Sequence, residues 1–165
     1  MVPPTTPARS HSGEVPVASY KLPISVLVVV YTPKLEVLLL ERADHPGYWQ
    51  SVTGSREPGE TLVQTAIREV REETGLDAEK YGLADWALEY DFEIFAEWRH
   101  RFAPGVTHNT EHVFGLMVPE PVEIALAPRE HLNFLWLPHE QAAGKVFSWS
   151  NAAAIEKLPQ MAGKR

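Results

Sequence analysis

Cysteine is absent from the sequence, which excludes disulfide bonds, thiolate-bound zinc and a cysteine nucleophile. Positive charge is scarce, since 15 Lys and Arg residues against 22 Asp and Glu residues give a formal net charge of −7. This balance disfavours a protein that binds nucleic acid through its bulk charge. Long apolar runs are also lacking, because the longest, residues 26–31, is far shorter than the roughly 20 residues of a membrane-spanning helix. We therefore expect neither a nucleic-acid partner nor a membrane partner.

The length and composition are typical of one globular domain. The 165 residues are 44% hydrophobic and 22% charged, close to the averages of globular proteins. We predict a disordered, Pro-rich tail over residues 1–19, a single domain over residues 20–160 and a frayed C-terminus over residues 161–165. The tail has no apolar stretch typical of a signal peptide, which favours a cytoplasmic protein. We expect a monomer rather than an obligate oligomer.

Hydrophobic periodicity predicts a mixed β-sheet flanked by helices. Strands are predicted at residues 24–31, 37–40, 49–53, 86–94, 113–118 and 132–137, the first two as a hairpin. Helices are predicted at residues 61–74, 139–144 and 148–158. This order of elements indicates the α/β class, with an α/β/α sandwich as the architecture.

The helix predicted over residues 61–74 has the clearest boundaries. Thr61 is a suitable N-cap with Gln64 at the capping-box position, and Gly75 stands where a helix ends. At about 100° per residue, the apolar residues occupy one stripe roughly 140° wide, which we predict to be buried. The stripe comprises Leu62, Val63, Ala66, Ile67 and Val70.

Three carboxylates of the same helix lie beside that stripe. Glu69, Glu72 and Glu73 fall within roughly 100° of one another on the helical wheel, whereas Arg68 and Arg71 point elsewhere. Two such charges about 6 Å apart repel by roughly 3 kcal/mol at an effective dielectric constant of about 20, and a hard divalent cation would relieve the repulsion. Oxygen ligands without cysteine favour Mg²⁺, with Mn²⁺ as a substitute, over zinc. A solvated, glutamate-rich face is the alternative.

The glutamates are part of a longer motif that starts at Gly54. The pattern is G-x5-E-x7-R-E-U-x-E-E-x-G-U over residues 54–76, where U is a bulky apolar residue, and every specified position is met. It resembles the Nudix box, a loop–helix–loop that holds Mg²⁺ in hydrolases of nucleoside diphosphates linked to another group. The resemblance implies the Nudix-type α/β/α sandwich with a mixed sheet.

The resemblance also implies roles for the residues of the box. Glu72 would be a metal ligand or the general base, the other two glutamates would be metal ligands, and all three would be catalytic. Gly54 would offer its backbone carbonyl to the metal. Glu60 and Arg68 would form a buried pair that braces the helix, which is a structural role.

Segments outside the box are similar to the dihydroneopterin triphosphate pyrophosphatase branch of the Nudix superfamily. The similarity spans most of residues 20–155 and rests on residues 20–29, 48–55, 92–95, 99–111, 130–132 and 148–151. It implies removal of pyrophosphate from 7,8-dihydroneopterin triphosphate, which leaves the monophosphate in folate synthesis, and action on some nucleoside triphosphates. Metal would then bridge the acidic protein and its anionic substrate.

The same resemblance suggests residues that bind the substrate or complete the metal site, each with a plainer alternative. Lys21 and Arg42 would contact triphosphate oxygens, Arg42 through a bidentate fork, or be ordinary surface charges. Thr53 would donate its hydroxyl to the substrate or make a hydrogen bond at a strand end. Glu130 would complete the metal shell or lie alone on the surface. Ser148 would bind the substrate or cap a helix.

A flat heterocycle needs an apolar slot with a few polar groups at its edge. The resemblance suggests that four consecutive residues flank the ring of the substrate: Phe92, Glu93, Ile94 and Phe95. We place Phe92 and Phe95 on one strand face, and an ordinary amphipathic strand is the alternative. Residues 99–111 would form a basic flap over the site or a solvated loop. Trp136 and Trp149 are predicted to belong to the core.

Two other functions stay open. A housekeeping Nudix hydrolase of oxidised or non-standard nucleoside triphosphates would share the box but not the segments outside it. A catalytically dead Nudix-like module that binds a nucleotide would share the fold, although the intact Glu69, Glu72 and Glu73 argue against it. Hydrolysis rates on pterin and nucleotide substrates separate these alternatives.

Overall fold

The computed structural model describes residues 20–163, which form a seven-stranded mixed sheet with helices on both faces. The predicted tail, residues 1–19, and the last two residues lie outside the described residues. The strands are β1 (Ile24–Tyr31), β2 (Glu36–Arg42), β3 (Trp49–Gln50), β4 (Val52–Ser55), β5 (Leu83–Glu93), β6 (His108–Met117) and β7 (His131–Pro138). The helices are α1 (Leu62–Thr74), α2 (Ala78–Tyr81), α3 (His139–Lys145), α4 (Trp149–Glu156) and α5 (Leu158–Met161), with a 3-10 helix at Ala96–Arg101.

Strand β1 lies at the centre of the sheet and changes partner along its length. The order is β3-β2-β1-β6-β5, with β4 paired to β1 and β7 paired to β2. β1 runs parallel to β6, whereas its pairs with β2 and β4 are antiparallel. β4 pairs with the first half of β1, and β2 pairs at the last residue, Tyr31. The predicted hairpin and mixed sheet are confirmed.

The sheet buries a separate core on each face, because successive residues of β1 point to opposite sides. Even-numbered residues from 26 to 30 pack on the side covered by α1, where Val70 is fully buried. Odd-numbered residues from 27 to 31 pack on the other side, together with Ile155 of α4. Helices α1 and α4 therefore cover opposite faces, which confirms the α/β/α sandwich.

Helix α1 begins and ends at the predicted caps. The Thr61 hydroxyl accepts a hydrogen bond from the Gln64 backbone at 3.1 Å, and the Gln64 side chain accepts one from the Thr61 backbone at 2.8 Å. Gly75 ends the helix with a left-handed φ of 76°, a conformation that glycine adopts without a Cβ clash. The prediction of a fully buried stripe is wrong for Val63, which is 47% exposed and belongs to neither core.

Two further predictions about local structure are wrong. Residues 49–53 form two strands rather than one, because the Ser51 backbone N–H donates to the Asn151 side chain at 2.8 Å instead of to a strand. Trp149 is not a core residue but is 58% exposed at the start of α4. Trp136 is half-buried and packs against the core on the α1 side, as predicted. No helix within residues 20–163 is long and apolar enough to span a membrane.

Candidate active site

One open cavity of about 580 Å³ is bordered by α1, by strands β1, β4, β5 and β6, and by the start of α4. Every residue predicted for the site, apart from Glu60, lies on its wall. These residues are Lys21, Arg42, Thr53, Gly54, Arg68, Glu69, Glu72, Glu73, Phe92, Glu93, Ile94, Phe95, Glu130 and Ser148. The fold thus brings together segments that are far apart in sequence, whereas the chemical role of each residue stays a prediction.

Two of the three box glutamates are buried on the inner edge of α1. Glu73 is 1% and Glu69 8% exposed, whereas Glu72 is exposed. Neither carboxylate oxygen of Glu73 has a hydrogen-bond partner among residues 20–163. Burial, and then the neighbouring Glu69, raise the pKa of Glu73 well above its usual range, and burial also raises the pKa of Glu69. This carboxylate pair has both the oxygen donors and the electrostatic need for a cation.

Gly54 lies against the Glu69 carboxylate on the α1 side of β4. A Cβ atom at this position would overlap that carboxylate, so the close approach requires glycine. A backbone carbonyl beside buried carboxylates is the oxygen-only environment that Mg²⁺ prefers. No three Asp, Glu or His side chains of the described residues already converge on one point. The donor set nevertheless fits a hard divalent cation.

Arg68 connects the residues of the box. Its Nε and Nη2 donate to the two carboxylate oxygens of Glu60 at 2.7 and 3.0 Å, and Nη2 also donates to the Ser55 carbonyl at 3.0 Å. Its Nη1 contacts Glu69 at 2.6 Å and Glu72 at 3.3 Å. The predicted ion pair is present but half-buried rather than buried, and it lowers the pKa of Glu60 to about 2. The prediction that Arg68 points away from the glutamates is wrong, because its long side chain reaches along the helix to them.

His131, which had no role assigned from the sequence, lies beside the buried carboxylates. It is 5% exposed, and its Nε2 is 3.5 Å from Oε1 of Glu73 and 3.4 Å from Nε2 of Gln50. Burial, followed by the positive charge of Arg42, lowers its pKa to about 4. The imidazole is therefore neutral at neutral pH and adds no positive charge beside Glu73.

Aromatic side chains form a second wall of the cavity. Phe95 and Trp98 stack with their ring centroids 5.2 Å apart, and Phe147 meets each of them edge-on at 5.7 Å. Phe95 follows the end of β5 and caps the 3-10 helix, so the placement of Phe92 and Phe95 on one strand face is wrong. Phe147 was not predicted because it precedes α4 in a stretch without periodic pattern.

Three predicted substrate-binding side chains already have protein partners. The guanidinium fork of Arg42 donates twice to Asp44, at 2.7 Å in both bonds. The Thr53 hydroxyl donates to the Val26 carbonyl at 2.9 Å, and Ser148 is the N-cap of α4. The plainer alternatives therefore account for the hydrogen bonds of Thr53 and Ser148. Substrate would have to compete with Asp44 for the fork of Arg42.

Lys21 and Glu130 are exposed where they border the cavity. Arg101 also borders the cavity; its side chain donates to Asp44 at 3.1 Å, and its backbone carbonyl accepts from the Lys21 backbone N–H at 2.8 Å. Residues 99–111 are not one loop, since the segment from residue 108 onward belongs to β6. The basic side chain of Arg101 at the rim of the cavity therefore lies on a short segment that leads into strand β6 of the sheet.

Two buried polar residues on β6, Asn109 and Glu111, complete the wall of the cavity. Neither was named as a site residue from the sequence. Asn109 is 4% and Glu111 5% exposed, and both border the cavity. Burial, partly offset by a hydrogen bond with Ser150, raises the pKa of Glu111 to about 7. Residues 109, 111 and 113 point to the same face of a strand, and Val113 is a core residue. This spacing is the sequence signal that the side chains of Asn109 and Glu111 also point inward.

A model of the NUDIX domain matches residues 21–158, and the three glutamates Glu69, Glu72 and Glu73 of the box lie together on the cavity wall. The chain therefore belongs to the Nudix family, whose hydrolases generally use divalent metal cations.

Within the family, the chain is similar to two dihydroneopterin triphosphate diphosphatases. It is 50% identical over 142 residues to the dihydroneopterin triphosphate diphosphatase of Escherichia coli K12, which covers 84% of this chain and 93% of that protein. It is 43% identical over 141 residues to the Haemophilus influenzae enzyme of the same name, with 84% and 88% covered. The solved structure of the E. coli dihydroneopterin triphosphate pyrophosphohydrolase superposes with a TM-score of 0.79, covering 84% of this chain and 95% of that chain.

Proposed function

We propose that this protein is a Mg²⁺-dependent pyrophosphohydrolase that converts 7,8-dihydroneopterin triphosphate to the monophosphate and pyrophosphate. The observation that carries the proposal is the 50% identity to the E. coli dihydroneopterin triphosphate diphosphatase over 84% of the chain. The three box glutamates on the cavity wall support the same reaction class. Some nucleoside triphosphates are further substrates, because they share the triphosphate that the box engages.

Carboxylates of α1 hold the metal in this proposal. Glu69 and Glu73 bind it through buried oxygens, Gly54 adds its carbonyl, and Glu130 lies near enough to raise the pKa of Glu73. Bound Mg²⁺, for which Mn²⁺ can substitute, neutralises triphosphate charge and orients the reacting groups. Glu72, with 52% of its side chain exposed, is the best placed of the three glutamates to take a proton from water.

The reaction is the addition of one water across the α–β phosphoanhydride. A water oxygen forms a bond to phosphorus, the bridging P–O bond breaks, and pyrophosphate leaves with the bond's electron pair. The proton lost by water passes to the carboxylate and then to solvent. Lys21 and Arg101 supply positive charge at the phosphate end, and the rings of Phe95 and Trp98 contact the heterocycle.

The first test is pyrophosphate release from 7,8-dihydroneopterin triphosphate beside dATP, dGTP and oxidised nucleoside triphosphates, with Mg²⁺ and with chelator. We expect the highest kcat/KM for the pterin substrate and no turnover with chelator. A higher kcat/KM for an oxidised nucleotide would instead identify a housekeeping hydrolase. Binding without hydrolysis of any substrate would identify a nucleotide-binding module.

The second test replaces one proposed metal ligand. Glu73→Gln should lower kcat by a factor of about 10² or more, because a charged ligand is lost. Folding without metal should be unchanged or slightly more stable, since the buried carboxylate with its raised pKa is removed. Turnover near that of the parent in saturating Mg²⁺ would refute the role of Glu73.

A further inference from the structure

Strand β6 presents two unpartnered hydrogen-bond acceptors to the cavity. Oε1 of Glu111 and Oδ1 of Asn109 are buried and have no hydrogen-bond partner among the described residues. The two residues lie on one face of the strand, because residues two apart point the same way. Nδ2 of Asn109 donates to the Ser25 hydroxyl at 2.8 Å, so the amide is oriented with its oxygen as the acceptor that remains.

Buried acceptors without donors are rare in folded proteins and indicate a ligand that supplies N–H or O–H groups. Glu111 makes no ion pair with any residue of the described chain, unlike Glu60 or Glu69. Ser150 makes a hydrogen bond with the carboxylate but leaves its Oε1 without a donor. The requirement is for a ligand with at least two adjacent donors.

The walls around these acceptors are suited to a flat ring. Phe92 is directly opposite Asn109 and Tyr90 is directly opposite Glu111 in the antiparallel pair of β5 and β6, so their side chains share a face with the acceptors. Phe92 and Trp149 border the cavity, whereas Tyr90 packs against the core on the α4 side and meets the Trp149 ring edge-on at 5.7 Å. An aromatic slot with polar groups at its buried edge is the arrangement that binds heterocycles.

We propose that Glu111, with Asn109 beside it, determines specificity by accepting hydrogen bonds from the 2-amino group and the adjacent ring N–H of a 2-amino-4-oxo heterocycle. This inference rests on the proposed function, since dihydropterin carries that edge. Guanine carries the same pair of donors. Adenine instead presents one amino donor beside an acceptor nitrogen, which a carboxylate repels. Glu111 therefore selects pterin and guanine over adenine.

The first experiment uses the parent protein with Mg²⁺ and removes the donor from the substrate. We expect kcat/KM for dGTP to exceed that for dITP, which lacks the 2-amino group, by about tenfold; competitive Ki values replace kcat/KM where hydrolysis is slow. Equal values for dGTP and dITP would overturn the inference. Failure to hydrolyse dihydroneopterin triphosphate would overturn the proposed function instead, and the dGTP to dITP ratio would still decide the inference.

The second experiment removes the acceptor from the protein. Glu111→Gln, checked for folding by circular dichroism, should lower kcat/KM for dihydroneopterin triphosphate and dGTP by about tenfold or more, lower that for dITP less because its base keeps only the ring N–H donor, and leave dATP little changed. The ratio of dGTP to dITP should then approach one. Glu89→Gln is the matched control, because Glu89 is exposed on the neighbouring strand and does not border the cavity. A folded Glu111→Gln with the parent's dGTP to dITP ratio would refute the inference.

Discussion

Replacement of Glu111 by Gln should make the stability of the protein less sensitive to a rise in pH from 4.5 to about 7. Burial raises the pKa of the Glu111 carboxyl from 4.5 to about 7, so the folded chain keeps a proton that the unfolded chain releases at lower pH. The free energy of unfolding of the parent therefore decreases between pH 4.5 and about 7. The neutral amide of Gln has no such dependence.

The magnitude follows from the difference between the two pKa values. At about 1.4 kcal/mol per pH unit, the parent loses about 3 kcal/mol relative to Glu111→Gln across this range, and the difference is constant above it. Other titrating groups, including Glu73, are common to both proteins and cancel in the comparison. The sign is fixed because the folded pKa is the higher one, which makes ionisation in the folded state unfavourable.

Urea unfolding at intervals from pH 4.5 to 8, in metal-free buffer, measures both free energies. We expect the stability advantage of Glu111→Gln to grow with pH up to about 7 and then to stay constant, with equal m-values throughout. Glu89→Gln should follow the parent at every pH. A difference between Glu111→Gln and the parent that stays constant within about 0.5 kcal/mol would show that Glu111 is not held in a dehydrated environment.

Three other substitutions test the site. Arg68→Ala removes the partner of Glu60 and should lower the free energy of unfolding by about 3 kcal/mol, which corresponds to a decrease of about 6–12 °C in Tm. A thermal melt with an unchanged Tm would contradict the structural role of the pair. Gly54→Ala places a Cβ on the Glu69 carboxylate and should cut pyrophosphate release about tenfold or more in a folded protein, whereas normal turnover would exclude a close approach at β4. Phe95→Ala should change the ratio of kcat/KM for dihydroneopterin triphosphate over dATP by about 2–10-fold, and an unchanged ratio would remove Phe95 from the base pocket.

Local sequence determined the parts of the site that depend on neighbouring residues. The spacing of Glu69, Glu72 and Glu73 places them on one edge of any helix that forms there, because helical geometry fixes the angle between successive residues. Thr61 and Gly75 delimit that helix through hydrogen bonds within a few residues. The reaction class could be predicted for the same reason, since the metal-binding chemistry is contained in residues 54–76.

Tertiary structure decided the contacts that join distant segments. Trp149 looked like a core residue, yet its helix starts at the cavity and leaves the ring exposed. Glu111 looked like part of a loop, yet pairing of β6 with β1 and β5 buries it. Arg68 reaches Glu69 and Glu72 through a side-chain conformation that a helical wheel does not contain. Pairing between residues more than 80 positions apart decides which face of a strand is covered and which element covers it. No local sequence pattern specifies these pairings.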